Sequence, residues 1–280
     1  MDITSHTLGL RHQLGGYREH RPAATLAPVA ESIWTHEVPP GRTPATGGIH
    51  RVLPDPAMNL AFRCRRGSDG RAEDPRLVVI GPKIRPYLFR FHPGEEIAAV
   101  KVKLEWARPL LGLDPAEHLD QEDDVTPVLA GGARLLAHLS ATWSADEACA
   151  VLAGAVLDGL DRATKAPAVS ANALDLVRRT TGSVRIDVVA RQLGVSLRQL
   201  RRAVRAETPL SLKSYARITR LNHAMALADY ASRPAWARLA AESGFYDQSH
   251  LVRECRALAG LSPARAHHER RTQAETSNPC

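Results

Sequence analysis

Two stretches decide the fold of this chain: VVARQLGVSLRQLRRAV, from Val188 to Val204, and RLAAESGFYDQSHLVREC, from Arg238 to Cys255. They are two copies of one pattern. Val189 corresponds to Leu239, Ala190 to Ala240, Gly194 to Gly244, Leu200 to Leu251 and Val204 to Cys255. Each copy reads as a helix, a tight turn at glycine and a second helix. The alanine permits a close helix crossing, and the glycine supplies the left-handed conformation that ends the first helix. Apolar residues four apart pack the second helix down. This is a helix-turn-helix, whose second helix commonly enters the major groove of DNA. One copy is a weak signal. Two copies, each with a basic second helix, are a strong one.

Composition supports the same direction. The chain has 280 residues, enough for two domains and a connector. Hydrophobic residues make up 44% and charged residues 24%, the balance of a soluble globular protein. No apolar run approaches the roughly 18 residues of a membrane span. The start, MDITSHTLGLRHQLGG, lacks the basic-then-apolar order of a signal peptide. Cys64, Cys149, Cys255 and Cys280 are scattered without a CxxC, which fits a reducing cytoplasm and argues against zinc or a disulfide scaffold. The net charge of +7 is uneven. Residues 171–280 hold 18 Lys/Arg against 9 Asp/Glu, and residues 1–170 hold 19 against 21. The basic excess therefore coincides with the two turn motifs, which points to nucleic acid.

Outward from the motifs, the periodicity changes. Residues 1–20 predict little order. Between about residues 25 and 104, Pro and Gly divide the chain into short apolar runs: ESIWTHEV, HRVLP, MNLAFRC, RLVVIG, PYLFRF and IAAVKVKL. Several alternate, as in Tyr87, Phe89 and Phe91, which predicts an antiparallel sheet or barrel. Gly67–Pro75 reads as a hairpin loop. Glu105–Leu113, Pro127–Leu139, Ala145–Ala163 and Ser170–Thr181 read as helices, with a hinge at 164–169. A longer helix over about 211–231 joins the two motifs, with Tyr215, Ile218, Leu221 and Met225 on one apolar stripe. The expected fold class is α+β. Residues 1–128 form a β-rich domain and 129–170 a helical connector, with Ala145–Ala163 a candidate dimerisation helix. Residues 171–268 form the all-α double helix-turn-helix domain, and 269–280 a disordered tail.

In the first recognition helix, Ser196 caps and Gln199 stands three residues later, a capping box. Leu200 and Val204 face inward, so Arg198, Arg201, Arg202 and Arg205 point outward with Gln199. Arginine pairs bidentately with guanine and also binds phosphate. The helical geometry puts Arg198, Arg201 and Arg202 nearest the base edges and Arg205 nearest the backbone. In the second unit Asp247 is the cap, and Leu251, Cys255 and Leu258 form the buried stripe. Gln248, Ser249, His250 and Arg253 lie on its outer face.

These motifs, the connecting Arg220-Leu221 and Ala224, and the run GFYDQSHLVRECRALAGLSP resemble the DNA-binding domain of the AraC/XylS transcription regulators. The resemblance covers about residues 171–268. It implies that the two recognition helices enter successive major grooves on one face of the DNA. WARLAAESGFYDQSHL, from Trp236, resembles a subgroup with a small β-rich, cupin-like sensor at its N-terminus, and GPKIRP and RPLLGL fit that subgroup loosely. Cys255 and Val204 stand where the family usually has bulky aromatics. Pro209 and Leu212 replace a usual Gly and a usual Pro.

For the N-terminal domain the resemblance implies binding of a small effector or dimerisation. Trp34, Arg85, Tyr87 and Phe89 are the candidate effector-binding residues. Arg85, inside an apolar stretch, calls for an anionic partner. Metal-binding relatives carry an HxH cluster. Here the region reads Phe91-His92-Pro93-Gly94-Glu95, so neither metal nor cofactor is expected. No GxSxG, HExxH, phosphate loop or GxGxxG is present, and the chain reads as no enzyme. Cys64, flanked by Arg63, Arg65 and Arg66, opens one alternative: a thiol redox sensor or alkyl acceptor on the same DNA-binding module. A purely architectural DNA binder is a third. The leading reading is a cytoplasmic, sequence-specific transcription regulator. Its partners are double-stranded DNA, an effector, and, as further candidates, RNA polymerase and a second copy of the chain.

Overall fold

The computed structural model describes residues 10–14, 16–38, 49–90, 92–163, 168–231 and 233–277. Its architecture is α+β. The strands are β1 (Leu10–Leu14), β2 (Tyr17–His20), β3 (Ala30–Glu37), β4 (Ile49–Val52), β5 (Met58–Arg66), β6 (Ala72–Ile80), β7 (Tyr87–Arg90), β8 (Glu95–Val102) and β9 (Glu122–Asp124). Each of the six apolar runs becomes one of them. Seven strands make one antiparallel sheet in the order β1-β2-β3-β8-β5-β6-β9, and β4 with β7 forms a separate ribbon. The turn between β5 and β6 is tighter than the expected loop, closing with Gly67 N–H on the Arg71 carbonyl.

Residues 10–14 and 17–20 are paired, contrary to expectation. β2 runs along β3 with Tyr17 opposite His36, and the Tyr17 ring lies 5.6 Å from Trp34. Arg18 donates to Thr35. YREH has no alternating apolar pattern, so only its partner strand reveals it as a strand. Residues 1–9 and the segment 164–167 of the expected hinge lie outside the described residues.

Side chains alternate across the sheet, and each face packs against its own layer. One face presents Met58, Leu60, Phe62, Ala98, Val100 and Val102, all buried. It is covered by α1 (Ala107–Leu111), α2 (Gly132–Ser140) and α3 (Ala145–Leu160). Ala145, Ala148, Cys149, Leu152 and Val156 form the buried stripe of α3. Burying each large side chain of this layer contributes roughly 1.5–3 kcal/mol. Residues 132–160, expected as part of a connector, therefore complete the N-terminal core. A sheet with a fully apolar face needs such a cover. The opposite face carries Val38, Ala61, Val78, Ile80, Ile97 and Ala99, against which Trp34 and Phe89 pack. Phe89 belongs to β7, so the ribbon lies over this second face.

The C-terminal helices are α4 (Ala168–Arg179), α5 (Ile186–Gln192), α6 (Leu197–Glu207), α7 (Leu212–Asp229), α8 (Trp236–Glu242), α9 (Gln248–Ala259) and α10 (Pro263–Ser277). Helix α7 is the expected connecting helix, with Tyr215, Ile218, Leu221 and Met225 each at most 1% exposed. Helix α10 corrects the expected disordered tail: it stays helical to Ser277. It is anchored by buried Ala266 and His267 and by an ion pair from Arg270 to Asp229 at the end of α7. Residues 278–280 lie outside the described residues.

The two domains share an interface. Leu53 and Leu104 of the N-terminal domain join the hydrophobic cluster of the C-terminal helices. Around them, Arg178 of α4 donates to both carboxylate oxygens of Glu105, and Tyr215 donates to Glu31 at 3.3 Å. Asn222 of α7 donates to the Pro54 carbonyl at 2.9 Å, and Arg51 of β4 donates to Glu269 of α10 at 3.1 Å.

Candidate nucleic-acid interface

Both recognition helices begin where the caps predict. Ser196 Oγ accepts the Gln199 backbone N–H, and the Gln199 side chain reaches back to Ser196, completing the capping box. Asp247 accepts the His250 N–H at 2.6 Å. Gly194 and Gly244 both adopt left-handed backbone, φ +65° and +74°. A Cβ on Gly244 would lie 2.8 Å from Cβ of Ser183, so that turn is constrained twice.

Helix α6 buries Leu200 and Val204 completely or nearly so. Arg198, Arg201, Arg202 and Arg205 are all exposed, and among the described residues no acid pairs with them. Four unneutralised guanidinium groups on one helix face form a field suited to phosphate and guanine. Gln199 is also exposed, but its Oε1 already accepts from Ser196 N at 2.9 Å and Ser196 Oγ at 2.8 Å. Its amide is left chiefly as a donor and is poorly placed for the two-point pairing that adenine requires.

Helix α9 buries Leu251, Cys255 and Leu258, the expected stripe. Gln248, Ser249 and Arg253 are exposed on the outer face. His250 differs from them. It is half-buried, its ring stands edge-on to Phe245 at 5.4 Å, and Nδ1 accepts a long bond from Tyr246 N–H at 3.4 Å. The ring helps hold the turn and offers only its Nε2 edge outward. Beside it, Tyr246 is 92% exposed, an aromatic on the same surface that the helical pattern did not reveal because it precedes the cap.

Other contacts orient the two units. Arg217 of α7 grips Glu254 of α9 through two hydrogen bonds, at 2.7 and 3.2 Å. Arg220 donates to the Gly182 carbonyl before α5 and lies over the Phe245 ring. These two arginines belong to neither recognition helix, and nothing in the sequence around Arg217 distinguishes it from a solvated surface arginine.

The candidate effector residues separate. Trp34 donates to Asn59 Oδ1 at 2.8 Å, and Phe89 meets Tyr87 edge-on at 6.4 Å, with the Arg63 guanidinium 4.6 Å above the Phe89 ring. His36 and His50 meet edge-on at 5.9 Å in the same layer. These groups share the face between sheet and ribbon. Arg85 does not join them. It is exposed, so water satisfies its charge and no buried anion is required. Phe91 lies outside the described residues.

Cys64 is 3% exposed, and burial pushes its thiol up to about 11, outweighing the pull of Arg66. Arg66 is itself paired with Glu96, and Arg63 with Glu95 and Glu122. The arginines that suggested an activated thiolate are thus neutralised, and the thiol-sensor alternative loses its basis. Cys149 and Cys255 are also buried, with thiols pushed up to about 12 and about 11.

The helix-turn-helix domain family matches residues 189–268, and a domain of unknown function, DUF6597, matches residues 18–124. No curated protein matches the chain. Among solved structures, the chain is similar to the C-terminal domain of AraT, a response regulator from Geobacillus stearothermophilus. That match has 19% identity over 38% of this chain and 88% of the other, with a TM-score of 0.35. It is also similar to ToxT from Vibrio cholerae O395, with 10% identity over 85% of this chain and 97% of the other and a TM-score of 0.44. A DNA-binding transcriptional dual regulator from Escherichia coli K-12 has 16% identity over 37% of this chain and 93% of the other, with a TM-score of 0.32.

The fold and the paired motifs define a DNA-binding transcription regulator. Residues 189–268 form a helix-turn-helix domain, preceded by a β-rich domain. No helix among the described residues is long and apolar enough to cross a membrane.

Proposed function

We propose that this protein is a sequence-specific, effector-responsive transcription regulator whose helices α6 and α9 occupy two successive major grooves. The observation that carries the reading is the pairing of two capped helices, each buried by an apolar stripe, each with a free polar or basic outer face. On α6 the readers are Arg198, Arg201 and Arg202, with Arg205 toward phosphate and Gln199 as a donor. On α9 they are Gln248, Ser249 and Arg253, with His250 contributing through one ring edge. Selection of bound DNA from a random pool, followed by footprinting, tests this. The expected footprint is two short protected segments about one helical turn apart. A single protected groove overturns it. If about five phosphates are neutralised, the log–log salt slope is near −4.5.

In this reading the effector sits at the aromatic and histidine-lined face of Trp34, Tyr87 and Phe89, between sheet and ribbon. Its readout is quenching of Trp34 fluorescence on titration with candidate small molecules. The protein acts in the cytoplasm, with RNA polymerase and a second copy of the chain as the partners a regulator of this kind would meet.

A further inference from the structure

The N-terminal domain touches α4, α7 and α10, the helices that support the two helix-turn-helix units, and it does so away from the units' outer faces. Beside the first unit, Glu105 holds Arg178 of α4, and α4 packs on α6. Along α7, the helix shared by the units, Glu31 accepts from Tyr215 and the Pro54 carbonyl accepts from Asn222. These residues are seven apart, about 10 Å along the helix axis. Beside the second unit, Arg51 of β4 reaches Glu269 of α10, and α10 packs on α7 and α9. The outer-face arginines of α6 and Arg253 of α9 remain exposed with these contacts in place.

Strand β4 has a second role in this arrangement. Successive residues of a strand face opposite ways. His50 faces the layer of His36 and Phe89, the candidate effector site, while the next residue, Arg51, faces α10. One strand therefore touches the aromatic layer on one side and, on the other, α10, which packs on the second recognition helix.

We propose that the N-terminal domain is a clamp that sets the phase between the two recognition helices, and that Arg51 is the positioning residue through which β4 adjusts it. The inference rests on the two-groove reading above. Inserting one base pair turns the second groove by about 35° and moves it about 3.4 Å. Two readers braced by a common strut cannot both follow that change. Two readers joined by α7 and its local contacts alone can follow more of it. The preferred spacing of the half-sites is thus determined in part by an interface that never touches DNA. An effector that shifts the ribbon changes that preference.

The test uses the full-length protein and the selected DNA, with the segment between half-sites lengthened or shortened by one base pair. The wild type is expected to lose about tenfold in affinity on either change, the scale of one mismatched base pair. Arg51→Ala is expected to bind the optimal site within about threefold of wild type but to lose less than about threefold on the altered spacings. Base preference within each half-site should not change. Arg51→Lys, which keeps the charge, should restore most of the spacing penalty. Arg51 and Glu269 are each 28% exposed in their side chains, so the substitution leaves no deeply buried charge unpaired. An Arg51→Ala protein that keeps the wild-type spacing penalty overturns the clamp while the two-groove reading stands. So does one that loses affinity equally on every spacing. A wild-type footprint confined to one groove removes the two-groove reading and the clamp with it.

Discussion

Arg178 of α4 crosses the domain boundary and clasps Glu105, one hydrogen bond measuring 3.0 Å from Nη1 to Oε2. The two side chains are only 13% and 2% exposed. The same guanidinium nitrogen donates to the Tyr215 hydroxyl at 3.1 Å. This buried network ties α4, which packs on the first recognition helix, and α7 to the sheet domain.

Removing one partner should therefore cost far more than removing both. Glu105→Ala leaves a buried arginine with only the more distant carboxylates of Glu31 and Asp175, each at 3.9 Å, and should destabilise the protein by about 3–5 kcal/mol. Glu105→Leu combined with Arg178→Met should lose less than either single change, because no charge is left stranded. Denaturant unfolding of the three variants measures this. Equal losses for the single and double variants would contradict the buried-pair account.

Arg202 and Arg253 occupy equivalent positions on the outer faces of α6 and α9, both exposed. Substituting either with alanine should cost roughly 1–3 kcal/mol if it reads a base, and should relax preference at one position only. Binding measured against a panel of single-base variants separates this from phosphate contact. A uniform loss across the panel would assign that arginine to the backbone. Arg205→Ala is expected to show the uniform pattern and a shallower salt slope.

The two turn glycines should differ in their tolerance. Gly194→Ala meets nothing within 4 Å and should pay only the left-handed backbone cost, about 1–2 kcal/mol. Gly244→Ala adds a 2.8 Å approach to Cβ of Ser183 and should cost more. Combining Gly244→Ala with Ser183→Gly should recover the difference. Thermal melting of the three proteins decides it, and equal midpoints for the two single variants would count against the packing described at that turn.

Acid should weaken the fold before its carboxylates titrate. Burial holds the His36 imidazole neutral, pushing its pKa down from 6.5 to about 3, with the neighbouring His50 adding to the effect. The His50 imidazole is lowered by burial as well. The unfolded chain takes up these protons near 6.5, while the folded chain resists them. Stability is thus complete above that value and is lost as pH falls, by up to about 1.4 kcal/mol per pH unit for each histidine. Glu31, raised by burial, acts with the opposite sign nearer the carboxylate range, so the slope is best read above about pH 5. His36→Leu should flatten the dependence of unfolding free energy on pH between about 7.5 and about 5. An unchanged slope in that variant would remove His36 from the account.

What the amino-acid sequence determined by itself was everything local. Ser196 and Asp247 cap because their side chains reach backbone groups three residues on. Gly194 and Gly244 end helices because only glycine enters that conformation without strain. Leu200, Val204, Leu251 and Cys255 face inward because helical periodicity leaves them no other side, and that same periodicity exposes Arg198, Arg201, Arg202 and Arg253. Short apolar runs divided by Pro and Gly, several of them alternating, likewise placed β3 through β8. The tertiary structure decided what depends on distant neighbours. It paired YREH with β3, laid α3 over the sheet, and drew α10 onward to Ser277. It exposed Arg85, buried Cys64 among neutralised arginines, and joined Arg178 to Glu105 across 73 residues of chain. A cap or a stripe is fixed by groups within one helical turn. Desolvation and charge pairing are fixed by whatever the whole fold brings alongside, and no short window of sequence contains that information.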